Sequence, residues 1–97
     1  MAKDEGAFTK VPNWILDDTS LNTFEFRIML VIARQTIGYG KKSDGISISQ
    51  FSNATGISIS KVKMVIKNLK SKKLIRVQRQ VKEDGGKSYN RYSLTPP

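Results

Sequence analysis

The chain of 97 residues has no histidine and no cysteine. Without cysteine there is no disulfide frame and no thiolate site, which fits a reducing compartment. Long apolar runs are missing too. The longest strictly apolar stretch, Ile28 to Ala33, is far too short to span a bilayer. The opening Met-Ala-Lys-Asp-Glu-Gly is polar and acidic, unlike a secretory signal, so a cytoplasmic location and no membrane partner are expected. Acids are scarce, 8 against 17 Lys and Arg. The carboxylate pairs that do occur, Asp17-Asp18 and Glu83-Asp84, are sequence neighbours in polar connectors with nothing nearby to perturb them. No catalytic residue, metal ligand or cofactor is therefore expected, and the chain does not read as an enzyme. Gly38-Tyr39-Gly40 is no nucleotide fingerprint, because no strand leads into it and no helix opens from it.

What is present is positive charge, unevenly spread. Residues 1–40 hold four bases and five acids, a net of −1; residues 41–97 hold thirteen and three, a net of +10, which together give +9. A near-neutral half carrying a basic half suggests a scaffold with a surface for a polyanion. The length suits one domain, expected over 8–94, with a disordered tail at 1–7 and the start of a linker or a truncated end at 95–97.

The stretch Gly56 to Leu69 carries most of the functional argument. Ser58 stands where a helix N-cap belongs, and Ile57 before it can pack on Val62 as a hydrophobic staple. At about 100° per residue, Ile59, Val62, Val65, Ile66 and Leu69 share one side, and Ser60, Lys63, Met64, Lys67 and Ser71 the other. A merely solvated face usually mixes acids with bases to gain i,i+4 pairs. This one has no acid. Nine Lys or Arg and no Asp or Glu occur from Lys61 to Lys82. Upstream, Ser47 and Gln50 form a capping box and Ile46 and Phe51 a staple, predicting a short helix over Ile48–Ala54 ended by Gly56. Two capped helices joined through a short turn with glycine read as a helix-turn-helix, with an ordinary helical corner as the plainer alternative.

The remaining elements fit around this pair. Pro12 suits the first turn of a short helix that docks Trp14 and Ile15 on the core. Asn22 and Glu25 form a further capping box, opening a helix over Thr23–Thr36 that is apolar almost all round except at Glu25, Arg27 and Arg34. Such a helix belongs in the core, with a share in a dimer interface as the second reading. Residues 38–45 read as a loop, and Ile46 and Ile48, alternating with serines, as a very short strand. After Lys73 the period becomes two: Ile75, Val77 and Val81 alternate with polar residues, as do Tyr92 and Leu94, across an Asp84-Gly85 hairpin turn. A turn centred there sets Ile75 opposite Leu94, Val77 opposite Tyr92, and Lys82 opposite Lys87 at the tip. The expected fold class is α+β, mostly helical: a winged helix-turn-helix with three main helices, a short N-terminal helix and a small antiparallel sheet with a β-hairpin wing.

Several stretches resemble one known family. They are Phe8-Thr-Lys-Val-Pro-Asn13, Phe26-Arg-Ile-Met-Leu30, Arg34-Gln-Thr-Ile-Gly-Tyr-Gly-Lys-Lys42 with Asp44, Ile48-Ser-Gln-Phe51 through Thr55-Gly-Ile-Ser58, and Asn90-Arg-Tyr-Ser-Leu94. Together they resemble the amino-terminal domain of the bacteriophage replication protein O family. The resemblance implies a winged helix that binds repeated sites in a phage replication origin, inside the bacterial host. It also implies a carboxy-terminal region, absent from this chain, that recruits the host replicative helicase or its loader.

The expected partner is therefore double-stranded DNA, read as sequence, with a homodimer on repeated or palindromic sites left open. Ser60, Lys61 and Met64 are the candidates for base edges, Met64 being suited to a thymine methyl. Lys63, Lys67, Lys70, Arg79, Lys82, Lys87 and Arg91 are the candidates for phosphates. A winged-helix transcriptional regulator on operator DNA is the alternative function. A protein-binding winged helix and an RNA binder are further rivals, the latter disfavoured by the deep A-form major groove.

Overall fold

A computed structural model describes residues 8–80 and 89–97, apart from the Gln80 side chain. The expected N-terminal tail, the Asp84-Gly85 turn and the facing of Lys82 on Lys87 lie outside these residues. The elements run α1 (Asn13–Leu16), α2 (Thr23–Gln35), a 3₁₀ turn (Ile37–Tyr39), β1 (Asp44–Ile46), α3 (Ile48–Thr55), α4 (Ile59–Ser71), β2 (Ile75–Gln80) and β3 (Tyr89–Leu94). This is an α+β fold in the element order of a winged helix-turn-helix.

Local chemistry sets where the helices start. The Glu25 N–H donates to Asn22 Oδ1 at 2.8 Å while Glu25 Oε1 accepts from the Asn22 N–H at 2.9 Å. Ser47 and Gln50 repeat the reciprocal pattern at 3.1 and 2.8 Å, and Ser58 Oγ accepts from the Lys61 N–H at 3.3 Å. Each cap satisfies amides that the first helical turn leaves without partners. Pro12 is the N-cap of α1 rather than its first residue. Beneath it Ile15 is fully buried and Trp14 packs against the core.

The helix ends differ in kind. Gly56 closes α3 with φ 76°, a left-handed conformation that glycine adopts without a Cβ clash. At the end of α4 the left-handed residue is Lys73, φ 62°. The Lys73 N–H donates to Lys70 O at 2.9 Å and the Leu74 N–H to Leu69 O at 3.1 Å, the paired bonds of a Schellman motif.

The sheet order is β1-β3-β2, antiparallel throughout, so the last strand is the central one. Ile75 lies opposite Leu94 and Val77 opposite Tyr92, the register expected from the hairpin's apolar pairs. The first strand lies earlier than the Ile46–Ile48 alternation suggests. It spans Asp44–Ile46, because the Ser47 cap commits Ile48 to α3. The core joins Ile28, Met29 and Ile32 of α2, Phe51 of α3, Val62, Val65 and Leu69 of α4, and Tyr92 of β3. Tyr92 meets Phe51 edge to face, with ring centroids 4.9 Å apart. Burial holds the Tyr92 phenol above its ordinary pKa, partly offset by a hydrogen bond with Asn90.

Two residues depart from their expected environments. Glu25, read as a polar break in α2, is buried. Its Oε1 accepts from the Lys72 ammonium at 3.0 Å, and the same ammonium donates to Ser20 O at 3.0 Å, tying the end of α4 to the start of α2. Ile59, placed by periodicity on the buried side of α4, is 49 % exposed. It sits at the edge of the apolar stripe in the first turn, and Ile57, only 6 % exposed, is the isoleucine that the core takes at this end.

Candidate nucleic-acid interface

Three side-chain hydroxyl bonds fix how α4 leaves α3. Thr55 Oγ1 donates to Phe51 O at 2.7 Å and accepts from the Ile57 N–H at 3.1 Å, and Ser52 Oγ donates to Ile57 O at 2.7 Å. The turn's backbone groups are thereby paired and α4 projects at a set angle. Its buried face is Val62, Val65, Ile66 and Leu69. Its exposed face carries Ser60, Lys63, Met64, Lys67 and Lys70 and no acid. Met64 is 48 % exposed, more than a packing role requires. Ile59, though 49 % exposed, lies about 140° from Met64 around α4, at the edge of the buried stripe and not on the cationic face.

On one flank of α4 a cleft of about 490 Å³ runs between the helix and the sheet. It is lined by Lys63, Lys67, Lys70 and Ile66 of α4, Ile48, and Val77, Asn90 and Tyr92 of the sheet. A neighbouring hollow brings Arg79 to Lys70 across Val77. The structure thus gathers Lys63, Lys67, Lys70 and Arg79 on one side of the molecule, with the exposed Ser60 and Met64 on the same helix.

Other candidates are placed elsewhere. Arg91 pairs with Gly45 and Gln78, one residue out of step with the buried Tyr92, so it projects from the opposite face of the sheet to Arg79. Its guanidinium donates to Ser43 O at 3.1 Å and to Ser43 Oγ at 3.2 Å. Lys61 is only partly exposed and turns to the other flank of α4, its ammonium 4.8 Å from the centroid of the Phe24 ring. Lys82 and Lys87 fall outside the described residues. Two further bases of the acid-free run are also accounted for: Lys72 is held by Glu25 and Ser20, and Arg76 lies on the outer face of the sheet with Arg91. Among the described residues no group of His, Cys, Asp and Glu could hold a metal, and no helix is long and apolar enough to cross a membrane.

An α+β fold with a basic helix-turn-helix face leaves open which of many such proteins this one is akin to. Comparison with known families decides it. The family model described as bacteriophage replication protein O matches residues 1–92. The chain belongs to the bacteriophage replication protein O family. Its place is thereby in phage DNA replication. No curated protein matches the chain.

Proposed function

We propose that this member of the replication protein O family binds double-stranded DNA in a sequence-dependent way, without enzymatic activity, and that the sites it reads lie in a phage replication origin. The observation that carries the proposal is the exposed face of α4. It is free of acids, cationic along its length, apolar at Met64, and continuous with Arg79 across the cleft. An α-helix is about 10–12 Å across and the major groove of B-form DNA about 12 Å wide, so α4 can lie in it. Ser60 and Met64 then face base edges, the methionine suiting a thymine methyl group. Lys63, Lys67, Lys70 and Arg79 reach phosphates, which fix position and carry no sequence information.

The test is selection of duplex fragments of the parent phage genome by the purified chain. Bound fragments clustering as short repeats at one locus support origin recognition. Fragments from promoter regions support a transcriptional regulator instead, and uniform recovery contradicts sequence-dependent binding.

A further inference from the structure

The flank of α4 opposite the sheet holds a second cationic cleft, of about 400 Å³, between the start of α2 and the turn that leads into α4. Thr23, Phe24 and Arg27 of α2 line one wall, and Gly56, Ser58 and Lys61 the other. No carboxylate lines it. Arg27 is exposed, and neither it nor Lys61 makes an ion pair among the described residues. Lys61 is not loose: its ammonium is held over the Phe24 ring, which is 42 % exposed and forms part of the cleft wall. Two cations from two different helices, two exposed hydroxyl residues and no acid make a cradle for a single anionic oxygen cluster.

Helix geometry says which anion. At about 100° per residue, Lys61 and Lys70 lie roughly 180° apart around α4, with Ser60, Met64 and Lys67 on the arc between them. A helix that fills the major groove has one phosphodiester backbone along each flank. The cluster of Lys63, Lys70 and Arg79 takes one flank; the Arg27–Lys61 cleft is aimed at the other. We infer that Thr23, Arg27 and Lys61 bind a phosphodiester of the DNA strand opposite to the one gripped by Lys63, Lys70 and Arg79. The protein holds both walls of the groove. Lys61 then acts on the backbone and not on a base edge, and Arg27, on a helix that reads as core scaffold, becomes a contact residue. This inference rests on the proposal that α4 enters duplex DNA.

The experiment measures duplex affinity against salt for the wild-type chain, Arg27→Gln and the double change Arg27→Gln with Lys61→Gln, and maps phosphate ethylation interference on both strands of a bound duplex. Each lost phosphate contact should reduce the slope of log K against log salt by about 0.9. The double variant, which removes both cations from one phosphate, should therefore lose about one from the slope. Interference should vanish on one strand and persist on the other. Arg27→Gln alone should lower the slope by part of that amount with an unchanged melting temperature, since Arg27 is exposed and unpaired among the described residues. An unchanged slope in Arg27→Gln and in the double variant, with the wild type binding normally, overturns the second cradle and leaves duplex binding standing. Loss of interference on both strands alike also overturns it. Absence of salt-dependent duplex binding by the wild type is a different result, which defeats the proposed function itself.

Discussion

Lys73 occupies a left-handed backbone position that glycine commonly fills at the end of a helix. An L-residue there carries a Cβ–carbonyl clash of about 1–2 kcal/mol, part of which glycine gives back through its freer unfolded chain. Lys73→Gly should therefore raise unfolding free energy by about 0.5–1 kcal/mol in denaturant titration, with an unchanged m-value. A fall in stability would show that Lys73 makes favourable interactions outweighing its backbone strain. The Glu25–Lys72 pair predicts an asymmetry. Glu25→Gln keeps the capping geometry and removes the charge, at a cost of about 1 kcal/mol, whereas Lys72→Met leaves a buried carboxylate without its cation and should cost roughly 2–3 kcal/mol. Met64 is the opposite case. Being half exposed, Met64→Ala should change stability by less than about 0.5 kcal/mol. At a cognate site it should cost on the order of 1 kcal/mol of binding and at random DNA far less, as compared by competition binding. Equal losses on both DNAs would remove Met64 from the base-reading set.

At the scale of elements, the turn between α3 and α4 aims the interface. Thr55 bridges it, donating to one backbone group and accepting from another. Thr55→Val removes both bonds and leaves the buried Ile57 N–H unpaired, which should cost about 1–3 kcal/mol. Because α4 then loses its fixed exit angle, cognate DNA affinity should fall even below the melting transition, where the chain remains folded. Normal affinity in a destabilised Thr55→Val chain would show that packing alone orients α4. These elements differ in how legible they are in sequence. The three caps and the β2–β3 register could be read there because each is set by residues three apart or by pairs summing to one turn centre. The buried carboxylate of Glu25 could not, since its cation is 47 positions away. Nor could the antiparallel pairing of β1 with β3, which joins Gly45 to Arg91. That pairing also explains Gly45: a Cβ there would run into the Tyr89 ring.

For the molecule as a whole, the sequence divided its charge between halves, and the fold divides it again among faces. Alternation along a strand is local, but which face of the hairpin looks toward α4 is decided by Tyr92 entering the core. Arg79 consequently joins the α4 side, while Arg76 and Arg91 are carried to the outer face of the sheet. Lys61 is separated from Lys63 by the turn of the helix, a division that a count of bases along the sequence hides. What remains on the α4 side is a smaller cationic set than the run of nine, arranged around Met64, an apolar side chain suited to a base edge.

The most direct test of duplex binding through this face is its dependence on salt. With about five phosphates neutralised by Lys63, Lys67, Lys70, Arg79 and the Arg27–Lys61 cleft, log K should fall against log salt with a slope of roughly −4 to −5. The measurement is fluorescence anisotropy of a labelled duplex titrated with the wild-type chain between low and physiological salt. A slope in that range is the predicted result, and a flat response would contradict the account.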